Sequence, residues 1–178
     1  MKFIKYFFPF ILFLALMVLL LRGLSLHPSE VPSPFINKPA PSFQLPSLFD
    51  RNKMTSNQDF IGHVTLLNVW ATWCVVCAEE HSVLSEIAKN SNVVLIGLNY
   101  KDSQAEAIKW LKKRGNPYHI IGVDQTGNSA IDWGVYGTPE TFLIDKKGYI
   151  RYKQIGPISP QTWEQKLKPM VEKLQKEE

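Results

Sequence analysis

The feature that most constrains the fold of this chain is an uncharged, largely apolar run that leads directly into a pair of cysteines. Val64 to Trp70 contains no charged residue, which is typical of a strand buried on both faces. Such strands occur in sheets that helices cover on both sides. The chain is therefore expected to form an α/β domain around this strand.

The rest of the chain alternates between segments with strand character and segments with helix character. After a short strand or hairpin near 43–45, the predicted order is β-α-β-α-β-α-β-β-α. The alternation predicts a parallel core, and a tight turn at Lys147-Gly148 adds an antiparallel edge. The predicted strands lie at 64–70, 93–98, 118–123, 141–144 and 149–155, and the predicted helices at 74–89, 103–114, 128–133 and 160–176.

The N-terminal segment carries a second strong signal. Tyr6 to Leu21 is apolar throughout, and with its flanks it approaches the ~30 Å thickness of a bilayer core. A cleaved signal peptide is the alternative, but bulky residues follow the apolar run where a cleavage site needs small ones. We therefore predict an uncleaved, single-pass transmembrane anchor over residues 1–25.

The charges beside the predicted anchor indicate its orientation. Lys2 and Lys5 precede the apolar run, so the positive-inside rule places the N-terminus in the cytoplasm and the rest of the chain outside. In a bacterium this predicts attachment to the inner membrane with a periplasmic domain. Residues 26–38 contain Pro28, Pro32 and Pro34 and are predicted to form a short extended linker. Residues 39–178 remain as the folded domain.

The net charge of +4 is concentrated near the N-terminus. Lys2, Lys5 and Arg22 lie in a stretch of 25 residues without an acid, and the rest of the chain carries 17 bases against 16 acids. A nearly neutral domain lacks the basic surface that nucleic-acid binding requires. The sequence therefore predicts no nucleic-acid partner.

Cys74 and Cys77 are the two cysteines of the chain, and they stand where the central strand gives way to a helix. Backbone N–H groups and the dipole at a helix N-terminus stabilise a thiolate and lower its pKa. We therefore predict a redox-active disulfide between Cys74 and Cys77. In this scheme Cys74 attacks a substrate disulfide and Cys77 resolves the mixed disulfide. Trp73, directly before the pair, is the predicted substrate contact.

Other interpretations of the cysteine pair remain open from the residues alone. A structural zinc site needs four ligands, and the chain has no second Cys-x-x-Cys. His81 lies one helical turn after Cys77, so a copper chaperone with Cys74, Cys77 and His81 as ligands is an alternative function. A thiol peroxidase is another, and it would form a sulfenic acid at Cys74. The leading interpretation requires neither a metal nor a cofactor.

A second group of residues precedes the penultimate predicted strand. Thr138-Pro139 follows Gly134 and Gly137, and a proline at a strand entrance after glycines favours a cis peptide bond. Beside a dithiol, this loop would leave the Thr138 backbone open to pair with an extended substrate segment. Tyr136 is a further candidate for substrate contact.

Together these motifs resemble the CcmG/DsbE family of membrane-anchored, thioredoxin-like thiol:disulfide interchange proteins. The resemblance covers about residues 35–174 and implies a thioredoxin fold, a mixed central sheet flanked by helices. It also implies an N-terminal extension and one preceding transmembrane helix. The segments that carry it are Asn68-Val69-Trp70-Ala71-Thr72-Trp73-Cys74, Glu80-His81, Gly97-Leu98-Asn99-Tyr100-Lys101-Asp102 and Gly134-Val135-Tyr136-Gly137-Thr138-Pro139-Glu140-Thr141.

The resemblance also implies a role in cytochrome c biogenesis. The domain would reduce the Cys-x-x-Cys-His disulfide of an apocytochrome c, or act on a haem-ligation partner that holds it. Electrons would arrive from a transmembrane thiol reductase of the DsbD or CcdA type. The free thiols of the apocytochrome are needed for haem attachment.

Two glutamates are expected to act near the thiols, and the resemblance points to both. Glu80 follows Cys77 by three residues on the same helical face, and Asn68 stands where general thioredoxins carry a buried aspartate. We therefore predict that Glu80 accepts the proton of Cys77 and that Glu140 shapes the substrate groove.

The dipeptide between the cysteines departs from the family pattern. Family members often carry proline after the first cysteine, whereas this chain has Val75 and Val76. Neither valine brings a positive charge that would stabilise a thiolate, so a strongly oxidising pair is not expected.

Overall fold

The structure is a computed structural model that describes residues 2–24 and 33–177. The chain divides into two compact units, Met1–Pro32 and Ser33–Glu178. In the first unit, helix α1 spans Lys2–Leu24 and includes Pro9. Among the described residues, none of the helices combines the length and the apolarity needed to cross a membrane.

The second unit starts before the predicted domain boundary. Residues 26–32 of the predicted linker lie outside the described residues, whereas residues 33–38 belong to the folded unit. The N–H of Asn37 donates to the carbonyl of Ile150 at 2.7 Å, and Phe35 packs against the buried core. The folded domain therefore starts at Ser33 and not, as the sequence predicted, at residue 39.

A small hairpin precedes the central sheet. Strands β1 (Gln44–Pro46) and β2 (Met54–Ser56) pair antiparallel. The first of them lies one residue beyond its predicted position, and the second was not predicted as a separate strand. The N–H of Leu48 donates to the carbonyl of Ile121 at 2.9 Å, which joins the segment after β1 to the central sheet.

Within residues 33–177, the central sheet consists of β3 (Thr65–Trp70), β4 (Val94–Tyr100), β5 (Ile120–Asp124), β6 (Glu140–Ile144) and β7 (Ile150–Ile155). Their order in the sheet is β5-β4-β3-β6-β7. Neighbours β3, β4 and β5 run parallel, and β6 and β7 add an antiparallel edge. The predicted mixed sheet with a parallel core is thus confirmed.

Helices connect these strands in the predicted places. They are α2 (Val75–Asn90), α3 (Gln104–Arg114) and α4 (Asn128–Asp132). Side chains of β3 alternate between two buried clusters, with Leu66 in one and Leu67 in the other. Because successive side chains of a strand point to opposite faces, the clusters lie on the two sides of the sheet.

The C-terminal helix is interrupted. It consists of α5 (Pro160–Thr162), a π-helical turn at Trp163–Leu167 and α6 (Lys168–Lys176). The hydroxyl of Ser159 accepts the N–H of Thr162 at 3.0 Å, so the predicted N-cap is confirmed. Pro169 lacks an N–H and its ring crowds the carbonyl four residues earlier, which explains a wider turn just before it.

Trp70 ends the central strand and is buried, with an exposed fraction of 1%. Its ring stacks on Tyr118 with 5.6 Å between ring centroids. A Cβ atom at Gly97 would lie 2.9 Å from the indole nitrogen of Trp70. Glycine at this position of β4 therefore makes room for the indole, and Trp70 acts as a core residue rather than a substrate contact.

Candidate active site

The cysteines form a disulfide at the start of α2. Cys74 is the N-cap of this helix, and the N–H of Cys77 points at its sulfur over 3.0 Å. Both side chains are largely buried, and Cys74 is the more accessible of the two. When the pair is reduced, this N–H and the helix dipole favour negative charge on Cys74, as an attacking thiolate requires.

The proline loop reaches the disulfide. The Thr138–Pro139 peptide bond is cis, as predicted. The carbonyl oxygen of Thr138 lies 3.5 Å from the sulfur of Cys74. The fold therefore brings together the two motifs that the sequence singled out, although 64 positions separate them.

Trp73 lies beside the disulfide with 57% of its surface exposed. Its indole N–H donates to the carbonyl of Lys101 at 3.2 Å, and its ring lies 6.4 Å from that of Tyr100. The indole is thus held in place without being buried. This position suits the substrate contact predicted for Trp73.

An aspartate holds the loop that leads into the cysteines. One carboxylate oxygen of Asp102 accepts the N–H of Thr72 at 2.6 Å and the amide of Asn99 at 3.0 Å. The other oxygen accepts the hydroxyl of Thr72 and the N–H of Ser103, each at 2.8 Å. These bonds connect the ends of β3 and β4 in front of the dithiol. The sequence assigned Asp102 no role, although it closes one of the family segments.

Replacing Asp102 by alanine is expected to lower the free energy of unfolding by about 2 kcal/mol or more, since several hydrogen bonds to a charged acceptor are lost. Urea denaturation followed by tryptophan fluorescence measures the change. Asp132→Ala is the matched control, because Asp132 is exposed at the end of α4. Equal stabilities of the two variants would contradict the role of Asp102 in holding the loop.

Glu80 lies in the interior on the same helix as the cysteines, with an exposed fraction of 2%. One carboxyl oxygen accepts the side-chain amide of Asn68 at 3.0 Å, and the other accepts the N–H of Ile158 at 2.9 Å. Burial raises the pKa of Glu80 to about 7, and these two hydrogen bonds oppose the rise. A carboxyl with this pKa changes its protonation near neutral pH, as a proton acceptor at this site must.

Asn68 is the centre of a buried hydrogen-bond network. Its amide nitrogen also donates to the hydroxyl of Thr141 at 3.0 Å, and its oxygen accepts the hydroxyl of Tyr118 at 2.8 Å. Burial, and then the charge of Glu80, raise the pKa of Tyr118 well above its usual value. Tyr118 therefore stays a donor and fixes the orientation of the amide that contacts Glu80. No pattern in the sequence indicates this role of Tyr118.

Glu140 lies beneath the proline loop and is buried. One oxygen accepts the N–H of Tyr136 at 3.1 Å, and the other forms an ion pair with Lys153 at 2.9 Å. Tyr136 itself is 77% exposed. Tyr136 is therefore available as part of the groove surface. Glu140 is buried and acts on the groove indirectly, by supporting the loop from beneath.

His81 has partners away from the cysteines. Its Nε2 atom lies 3.0 Å from the carbonyl oxygen of Gly115, and its ring packs edge-on against Trp110. Burial lowers the pKa of His81. In the described part of the chain, no group of three or more His, Cys, Asp and Glu side chains is arranged to hold a metal ion. The copper alternative therefore gains no support from the structure.

A disulfide at a helix N-terminus, in contact with a cis-proline loop on a mixed sheet, defines a thioredoxin-like thiol–disulfide oxidoreductase. The chain is 46% identical over 167 residues to the thiol:disulfide interchange protein DsbE of Allochromatium vinosum, covering 94% of this chain and 92% of that protein. The chain belongs to the Redoxin family, which matches residues 36–170, and within it to the DsbE thiol:disulfide interchange proteins.

Two further proteins are similar to this chain. The DsbE protein of Escherichia coli is 43% identical over 176 residues, covering 95% of this chain and 94% of that protein. A secreted thiol-disulfide isomerase from Corynebacterium glutamicum has a similar structure, with a TM-score of 0.65 and 22% identity. That match covers 75% of this chain and 85% of the other. At this identity it shows the thioredoxin-like fold alone.

Proposed function

We propose that this protein is a membrane-anchored, periplasmic reductant in cytochrome c maturation. Its substrate is the Cys-x-x-Cys-His disulfide of an apocytochrome c, or a haem-ligation component that holds it. The observation that carries the proposal is the 3.5 Å approach of the Thr138 carbonyl to the sulfur of Cys74. A polypeptide paired along this loop would bring its disulfide to the nucleophile. The similarity to DsbE proteins over nearly the whole chain supports the same pathway.

The proposed reaction starts from the reduced dithiol. The Cys74 thiolate attacks one sulfur of the substrate disulfide, and the other substrate sulfur leaves as a thiolate that takes up a proton. Cys77 then gives its proton to Glu80 and attacks the sulfur of Cys74. This step breaks the mixed disulfide, releases the second substrate sulfur as a thiolate that takes up a proton, and leaves the Cys74–Cys77 disulfide. Two electrons from a transmembrane thiol reductase of the DsbD or CcdA type restore the dithiol.

The proposed location follows from the N-terminal segment. Phe7, Phe8, Phe10 and the apolar residues after them on α1 have exposed side chains, and the segment contains no acid. Lys2 and Lys5 support an orientation with the N-terminus in the cytoplasm. We therefore propose that the domain lies on the periplasmic side of a bacterial inner membrane, where an external electron source must keep the dithiol reduced.

The proposal is tested by trapping the substrate with Cys77→Ala in membranes. Without the resolving thiol, Cys74 is expected to accumulate as a mixed disulfide. Mass spectrometry should identify the attached protein as an apocytochrome c or a haem-ligation component. The control is the double variant Cys74→Ala/Cys77→Ala, which should capture nothing. If the captured proteins do not include a component of c-type cytochrome maturation, the assigned pathway is wrong.

A further inference from the structure

We propose that Lys153 is a positioning residue for polypeptide substrates, because its buried ammonium group holds the loop 134–140 in the conformation that places Thr138 beside Cys74. The inference deepens the proposed function and rests on it. Lys153 lies on β7, two strands away from the central strand that leads to the cysteines. No motif in the sequence predicts a role for Lys153.

The ammonium group contacts both ends of the loop. It donates to the carbonyl of Gly134 at 2.7 Å, where the loop begins, and pairs with Glu140 at 2.9 Å, where the loop ends. It also lies 4.3 Å from the centre of the Tyr136 ring. The side chain of Lys153 is only 3% exposed, and lysine is rarely buried to this degree unless it is paired.

Glu140 completes the arrangement from the other side. Its second oxygen accepts the N–H of Tyr136 at 3.1 Å, so the carboxylate links the middle of the loop to Lys153. The sheet fixes the relative position of the two charges, because Lys153 is opposite Phe142 in the β6–β7 pair. Removing one charge of a buried pair leaves the other without compensation, so the loop depends on both partners.

This arrangement predicts that Lys153 affects large and small substrates differently. A small disulfide needs only to reach the sulfur of Cys74. A polypeptide must also lie along the Thr138 backbone and the exposed ring of Tyr136, both of which belong to the loop. Lys153 therefore acts through the loop and touches neither the substrate nor the reacting sulfurs.

The test compares two oxidants of the reduced full-length protein. One is a synthetic peptide with a Cys-x-x-Cys-His disulfide, and the other is the small aromatic disulfide 5,5′-dithiobis(2-nitrobenzoic acid). In Lys153→Met, the ratio of the peptide rate to the small-disulfide rate is expected to fall about tenfold, since a displaced docking loop misaligns only the peptide. Lys147→Met is the control, because Lys147 is an exposed lysine in the turn before β7. Its ratio should equal that of the wild type.

A second variant separates positioning from simple destabilisation. Lys153→Met/Glu140→Gln removes both buried charges, so its melting temperature should recover towards that of the wild type. Its rate ratio should stay low, because the Gly134 carbonyl and the Tyr136 ring have still lost the ammonium group of Lys153. A wild-type ratio in either folded variant would overturn the role of Lys153.

A further control peptide keeps the two proposals apart. Its disulfide has a different cysteine spacing and lacks the histidine. If the wild-type protein does not prefer the Cys-x-x-Cys-His peptide over this control, the proposed substrate fails. The role of Lys153 is then still decided by the ratio measured with the control peptide.

Discussion

Replacing Cys74 by serine is expected to lower the rate of thiol–disulfide exchange by at least about 10³-fold, because a serine hydroxyl stays protonated at neutral pH and is a poor nucleophile towards sulfur. In the wild type, the N–H of Cys77 at 3.0 Å and the start of α2 stabilise the thiolate of Cys74. The rate is measured by mixing the reduced protein with a chromogenic disulfide and following the released thiol. The fold should be unchanged, since oxygen is smaller than sulfur and fits this largely buried site.

Cys77→Ser is the matched control for the order of attack. This variant keeps Cys74 and should release one equivalent of chromogenic thiol at close to the wild-type rate. It should then stop, because nothing resolves the mixed disulfide. If instead Cys74→Ser gives the initial release and Cys77→Ser does not, Cys77 is the attacking thiol. The position of Thr138 beside Cys74 would then need another explanation.

Much of the fold could be predicted because local pattern and tertiary environment agree. The uncharged run at β3 is buried on both faces, and the alternation of strands and helices gives the order of the parallel strands. Strand β2 was missed because Met54–Ser56 is only three residues long and has no hydrophobic periodicity. Its pairing with β1 is decided by tertiary contacts rather than by local propensity.

The residues of the active site also divide into those that local sequence signals place and those that only tertiary contacts place. Cys74, Cys77 and Pro139 stand at a helix start and a strand entrance, and such local signals place them without knowledge of the fold. Lys153 and Asp102 depend on partners that are brought to them by other elements. A lysine in an edge strand is normally expected to face solvent, so its burial against Glu140 could not be inferred from the sequence.

Glu80→Gln is expected to slow the resolution of the mixed disulfide by about 10²-fold above neutral pH, because the variant has no carboxylate to accept the proton of Cys77. In the wild type, the resolution rate should rise as the pH passes about 7, where the pKa of Glu80 lies. Below this pH the wild-type carboxyl is protonated and cannot accept the proton of Cys77 either. The resolution rates of the two proteins should therefore become equal. Release of a chromophoric thiol from preformed Cys74 mixed disulfide measures the rate across this range.

Glu79→Gln is the control for this pH profile, because Glu79 neighbours Glu80 but is exposed. It should keep the rise in rate near neutral pH. If Glu80→Gln also keeps the rise, Glu80 is not the proton acceptor, whatever its effect on stability.

The stability of the oxidised protein gives an independent check on the same carboxyl. Burial raises the pKa of Glu80 from 4.5 to about 7. Between these two pH values, the folded state therefore keeps a proton on Glu80 that the unfolded state has released. The free energy of unfolding should therefore fall as the pH rises through this window, by about 3 kcal/mol in total. Glu80→Gln should abolish that fall, and Glu79→Gln should retain it. If the fall persists in Glu80→Gln, Glu80 is not the group whose protonation changes the stability in this window.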